Sequence, residues 1–137
     1  MKKVKFILRY FRYKLTAKGK HSAQAPFLYG FITKVINTKT EDENCKKIEA
    51  LRKDLCNSEQ TIQITDFGAG SSINNSQKRK IKDVARNSAK NAKFGQLLYR
   101  ICKFYKPQNI IELGTSLGIS SCYLAKANPN SKVFTFE

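Results

Sequence analysis

The sequence predicts an α/β fold in which a basic helical extension precedes the start of an open, parallel, nucleotide-binding type of sheet. Three observations carry that prediction. Apolar residues recur at helical spacing over residues 1–20, 26–36 and 41–56. A strand, a glycine turn, a helix and a second strand then follow one another over residues 109–137, the order that makes a βαβ unit with two parallel strands. Finally, an acid, Glu137, closes the second strand.

In the first segment Val4, Ile7, Leu8, Phe11 and Leu15 fall on one helical face, and Lys5, Arg9 and Arg12 form a separate stripe. Residues 1–20 hold eight Lys/Arg and no acid. Such a helix could lie on RNA or on an anionic membrane surface, although the spacing of Phe6, Tyr10, Phe11 and Tyr13 fits packing better than base stacking. The favoured reading is a docking helix with a solvated cationic side. Pro26 suits the first turn of a second helix running to Ile36, because its missing N–H is unpaired there anyway. A third helix over 41–56 carries Glu41, Asp42 and Glu43 at its positive end and is expected to bury Ile48, Leu51 and Leu55. His21 has no second ligand nearby and reads as a loop or helix-start residue.

Thr61–Asp66 alternates like a strand and runs into Phe67-Gly-Ala-Gly-Ser71. This first glycine turn reads as structural, with a cap over a ligand site as the lesser alternative. No apolar helix follows it, and the glycine loop and catalytic loop that would make Asp66-Phe-Gly a kinase triplet are missing. Residues 74–93 carry Lys78, Arg79, Lys80, Lys82, Arg86, Lys90 and Lys93 against Asp83 alone, which predicts a mobile loop or a largely exposed helix. Leu97, Leu98, Ile101, Cys102, Phe104 and Tyr105 restore a helical stripe before Pro107. The divisions are therefore a basic helical extension (1–60), a strand, glycine turn and basic linker (61–93), and a partial ligand-binding domain (94–137).

Composition bounds the rest. The chain has 137 residues, 26 Lys+Arg against 10 Asp+Glu and a net charge of +16, and it is 41% hydrophobic. That is enough apolar content for one core and a bias toward polyanionic contacts. No apolar run reaches the roughly 18 residues a membrane span needs, and the N-terminal apolar residues are too interrupted for a signal peptide. Cys45, Cys56, Cys102 and Cys122 form no C-x-x-C pair, which argues for reduced thiols and a cytoplasmic protein.

The informative stretch is Glu112-Leu-Gly-Thr-Ser-Leu-Gly118. Gly114 lets the chain turn with no Cβ in a ligand's way. The helix beyond offers free N–H groups and a positive dipole end for a carboxylate or phosphate, with Ser120 and Ser121 as added donors. Glu137 lies at about the distance from the turn where an acid holds a ribose diol in such sheets. A G-x-G-x-x-G turn would need glycine where Ser116 stands, which disfavours a dinucleotide such as NAD.

From Phe94-Gly-Gln-Leu through Pro107, Glu112–Ser120 and Thr135-Phe-Glu137, the chain resembles the class I S-adenosylmethionine (SAM) dependent methyltransferases, and within them the catechol-type O-methyltransferases. The resemblance implies a Rossmann-like sheet, SAM as cofactor and methyl transfer to an unidentified small-molecule acceptor, at oxygen. It implies that Glu112 helps hold the methionine amino group and that Gly114 passes close to the cofactor. Ser120 would bond the methionine carboxylate and Glu137 both ribose hydroxyls, with Thr115, Ser116 and Gly118 completing the cofactor-binding turn. Thr115 and Ser116 stand where family members commonly carry an aromatic residue. The family's metal-binding acids and base lie downstream of the position of Glu137, so none is assigned, and the stretch reads as the first βαβ unit of an incomplete enzyme. Two parallel strands leave bare edges and an apolar face that call for a partner, a homo-oligomer being one solution. The alternative function is a nucleic-acid-binding module, or an RNA methyltransferase fragment, using the Lys/Arg of 1–20 and 78–93.

Overall fold

Strands β3 (Asn109–Leu113) and β4 (Lys132–Phe136) pair in parallel, with Ile111 opposite Phe134 and Leu113 opposite Phe136, and helix α6 (Ile119–Ala127) links them. The βαβ order expected from the sequence is present. The computed structural model describes residues 2–17, 25–64 and 78–137, without the side chains of residues 2 and 3. His21 and the Asp66–Ser71 turn lie outside the described residues. The chain is a mixed α/β protein that divides into two compact units, residues 1–38 and 39–137.

In the first unit, α1 runs from Lys2 to Thr16. The apolar face expected to dock is exposed, with Leu8 at 63% and Phe11 at 57%. Helix α2 (Pro26–Phe31) begins at a proline and passes without a break into a π-helical turn, Ile32–Ile36, closed by the Asn37 N–H on the Ile32 carbonyl at 2.9 Å. At the change of winding the Thr33 hydroxyl donates to the Tyr29 carbonyl at 2.7 Å, a back-bond that bends helices.

The second unit is built on α3 (Glu43–Asn57), α5 (Ala92–Tyr105) and α6. Cys45, Ile48, Tyr99, Cys102, Ile119, Tyr123, Leu124 and Ala127 form its core, and Ile110 and Val133 lay the parallel sheet against it. The sequence reading placed α3 within the N-terminal extension; the structure makes Cys45 and Ile48 of α3 part of this core. Ile48 is buried as expected, but Leu51 is 45% exposed. The inward stripe of α3 is rotated from Leu51 toward Glu49, because the Glu49 carboxylate accepts a hydrogen bond from the wholly buried Tyr123 and another from Arg52 at 2.9 Å.

Residues 74–77 lie outside the described residues; over 78–87 the basic run is neither a loop nor a mostly exposed helix. Lys78–Lys80 forms β2, antiparallel to β1 (Thr61–Gln63), and α4 (Ile81–Asn87) follows and buries Val84 and Ala85. Glu59 holds this segment down, since its carboxylate takes Lys80 at 3.0 Å and also Lys82. The two ammonium groups keep the Glu59 carboxyl at a pKa of about 2, well below the ordinary range. The four cysteines are free thiols. Burial, aided by the Asp42 charge, pushes Cys45 up to about 11, so it is an inert core residue rather than a nucleophile.

Candidate functional site

The turn after β3 takes its shape from three residues with positive φ: Gly114 (92°), Ser116 (48°) and Gly118 (72°). Around Gly114 and Gly118 there is open space where a Cβ would stand. Glycine is favoured at both because the left-handed region costs a side-chain-bearing residue about 1–2 kcal/mol. The turn is tied to the end of β4, with the Phe136 carbonyl accepting the Gly114 N–H at 2.7 Å and the Thr115 N–H at 3.3 Å. Gly118 then caps α6, and its carbonyl accepts the Cys122 N–H at 2.9 Å.

Two carboxylates flank this turn in different ways. Glu112 is half-buried; its Oε2 accepts from the Ser121 hydroxyl and from Thr135 Oγ1 at 3.0 Å, and the Thr135 hydroxyl also bonds that of Thr115. Glu112 thus joins β3, β4 and the first turn of α6. Glu137 reaches back from the end of β4, where its Oε2 accepts the Ser116 N–H at 2.6 Å. A backbone N–H in the left-handed loop, aimed at an acid one strand over, is a compact donor–acceptor pair beside the helix start.

A cavity of about 730 Å³ opens on this pair, within the range of small-molecule sites. Five of the seven residues expected to bind a cofactor line it: Gly114, Thr115, Ser116, Ser120 and Glu137. Glu112 and Gly118 are not among the lining residues and act behind the wall. The lining also includes residues that the sequence does not single out: Arg79 of β2 and Ser88, Ala89 and Lys90 between α4 and α5. In the sequence, Arg79 and Lys90 are two cations in a run of seven, and nothing local marks them out; the β1–β2 pairing and the position of α4 bring them to the site. The cavity lining therefore combines a carboxylate and the glycine-turn main chain with two cations. Among the described residues no three His, Cys, Asp or Glu side chains gather as metal ligands.

Comparison with protein-family models, with curated proteins and with solved structures finds no match.

Ser116 holds a glycine-like conformation with a side chain attached. The left-handed region costs such a residue about 1–2 kcal/mol, partly offset by the freedom glycine gains on unfolding. Ser116→Gly is expected to stabilise the protein by about 0.5–1 kcal/mol in urea unfolding, the Glu137 contact being made by the backbone. A loss of stability would show that the Ser116 side chain supports the turn.

Proposed function

We propose that the cavity beside the Gly114–Gly118 turn binds S-adenosylmethionine, and that the protein is a class I methyltransferase acting on a small-molecule acceptor, at oxygen. The observation that carries this reading is the convergence of Glu137 and the bare turn on one cavity: Glu137 Oε2 sits 2.6 Å from the Ser116 nitrogen, and both residues line the space. In a Rossmann-like arrangement the acid at the end of the second strand takes the ribose hydroxyls, here in competition with the Ser116 N–H. Gly114 leaves its main chain open to close approach, and Ser120, in the first turn of α6, lines the cavity and offers a hydroxyl for a carboxylate. Glu112 holds the turn by way of Ser121 and Thr135, next to where it would help hold the methionine amino group. Bound SAM would supply an electrophilic methyl group on its sulfonium. The protein's share is to place an acceptor in line with it and exclude water, which needs orientation more than acid–base chemistry.

Ser116 brings a hydroxymethyl group to the lining where a dinucleotide loop has glycine, which supports SAM over NAD. The nucleic-acid reading has less support, because Glu59 engages Lys80 and Lys82 of the basic run.

Calorimetric titration with SAM is the direct test. Saturable heat is expected from the wild type, with NAD failing to compete. Glu137→Gln is expected to weaken binding by roughly tenfold or more, the loss of one charged hydrogen-bond acceptor being of order 1.5–3 kcal/mol. Absence of heat from a folded wild-type protein, or equal affinity in Glu137→Gln, would remove the proposal.

A further inference from the structure

We propose that α1 is an interfacial helix that binds the surface of an anionic lipid bilayer. Over Lys2–Thr16 the helix is strongly amphipathic yet polar on average, the combination that distinguishes helices lying in a membrane interface from spanning ones. It is too short and too charged to cross a bilayer, and among the described residues no helix qualifies as a span.

The side chains are arranged for that surface. At 3.6 residues per turn, Val4, Ile7, Leu8, Phe11 and Leu15 occupy one arc of about 100°, and all five are exposed. Lys5, Arg9 and Arg12 run along one border of the arc and Lys14 lies beyond the other. Long cationic side chains in those places can reach lipid phosphates while the apolar arc enters the acyl boundary. Phe6, Tyr10 and Tyr13, also exposed, stand on the remaining side.

Charge selects the occupant. Residues 1–20 contain no acid, so a second copy of α1 laid against the first would bring like charges together. RNA would satisfy the cations and could stack on the exposed Phe6, Tyr10 and Tyr13, but it offers nothing to the aliphatic Val4, Ile7, Leu8 and Leu15. An anionic bilayer complements both features, phosphates for Lys and Arg and hydrocarbon for Val, Ile and Leu. The inference is independent of what occupies the cavity in the second unit.

The test is cosedimentation of the full chain with vesicles of phosphatidylcholine mixed with phosphatidylglycerol, beside vesicles of phosphatidylcholine alone, each with and without excess RNA. The protein is expected to pellet with the anionic vesicles, to remain largely in solution with the neutral ones, and to be released as salt rises. Arg9→Gln and Arg12→Gln are each expected to lower partitioning about fivefold. Leu8→Ser combined with Phe11→Ser is expected to abolish pelleting while leaving any RNA binding intact. Both residues are exposed, so unfolding midpoints should match the wild type and confirm that the fold survives. Equal partitioning onto neutral vesicles, unchanged pelleting of the Leu8/Phe11 variant, or tight RNA binding by a protein that ignores vesicles would each overturn the proposal.

Discussion

Gly95→Ala is expected to destabilise the protein by about 3 kcal/mol, the upper range for overpacking a core, although alanine is the better helix former by about 1 kcal/mol. Gly95 lies in α5, against the ring of Tyr123 in α6. A Cβ there would stand 2.6 Å from Tyr123 Cδ2 and closer still to Cε2, inside any real carbon–carbon contact. The ring cannot withdraw, because Tyr123 is wholly buried and its hydroxyl is fastened to Glu49 of α3. Burial and that carboxylate raise the Tyr123 pKa far above its ordinary value, so the phenol stays protonated and donating. Chemical denaturation would measure the loss, and a double-mutant cycle would locate it. In a Tyr123→Leu background the clash is gone, and Gly95→Ala should be close to neutral or mildly stabilising. An undiminished cost in that background would place the strain elsewhere.

Asp42→Ala is expected to cost about 2–3 kcal/mol, combining a lost helix cap of about 1 kcal/mol with a buried hydroxyl left unpaired at about 1–3 kcal/mol. The Asp42 carboxylate caps α3 by accepting the Asn44 N–H at 3.0 Å. Its other oxygen accepts from the buried Tyr99 hydroxyl at 2.7 Å and from Lys103 at 2.9 Å, so one side chain ties α3 to α5. Tyr99, then Lys103, hold the carboxyl down at about 2, against an ordinary value of 3.8. Because the folded protein binds this proton less tightly than the unfolded chain, the stabilisation is complete above about pH 4 and drains away as pH falls toward 2. Solvent screening of a partly exposed group reduces that pH-dependent share to about 1 kcal/mol. Asp42→Asn preserves the cap, so it should cost less than alanine and flatten stability between pH 4 and 2. Unfolding midpoints across that interval would check both statements, and an unchanged acid limb in Asp42→Asn would refute the role given to its charge.

Much of the second unit was legible before any coordinates. The stripes in 92–105 and 119–127 and the alternation in 109–113 and 132–136 are local patterns, and local patterns suffice to start helices and strands. The glycine turn was legible for the same reason. Gly114 and Gly118 do adopt left-handed conformations, and five of the seven residues named around them share one cavity. What misled was composition. Seven cations between 78 and 93 look like a solvated run, yet five of them lie in β2 and in α4, whose Val84 and Ala85 are buried, and Lys80 and Lys82 meet the Glu59 carboxylate. Composition counts charges but does not say which acid each one meets.

Contacts across long separations had no signature at all. Tyr123 finds Glu49 across 74 residues and Tyr99 finds Asp42 across 57; each pair looks unremarkable in its own segment. Gly95 likewise reads as part of a motif, and only the neighbouring helix shows that its missing side chain makes room for a ring.

The amino-acid order by itself determined the parallel strand pair, the left-handed turn and an acid set to return to it, because torsional preference and apolar period act within a few residues. Only the tertiary structure decided that Glu112 would brace the turn while Glu137 lined the cavity, and that Arg79 and Lys90 would join that lining. It also left the apolar stripe of α1 exposed and Ile111 and Leu113 bare on the outer sheet face, at 71% and 83% exposure. Those outcomes depend on which surfaces meet when distant segments pack, and burial is a property of the packed pair, not of either sequence alone.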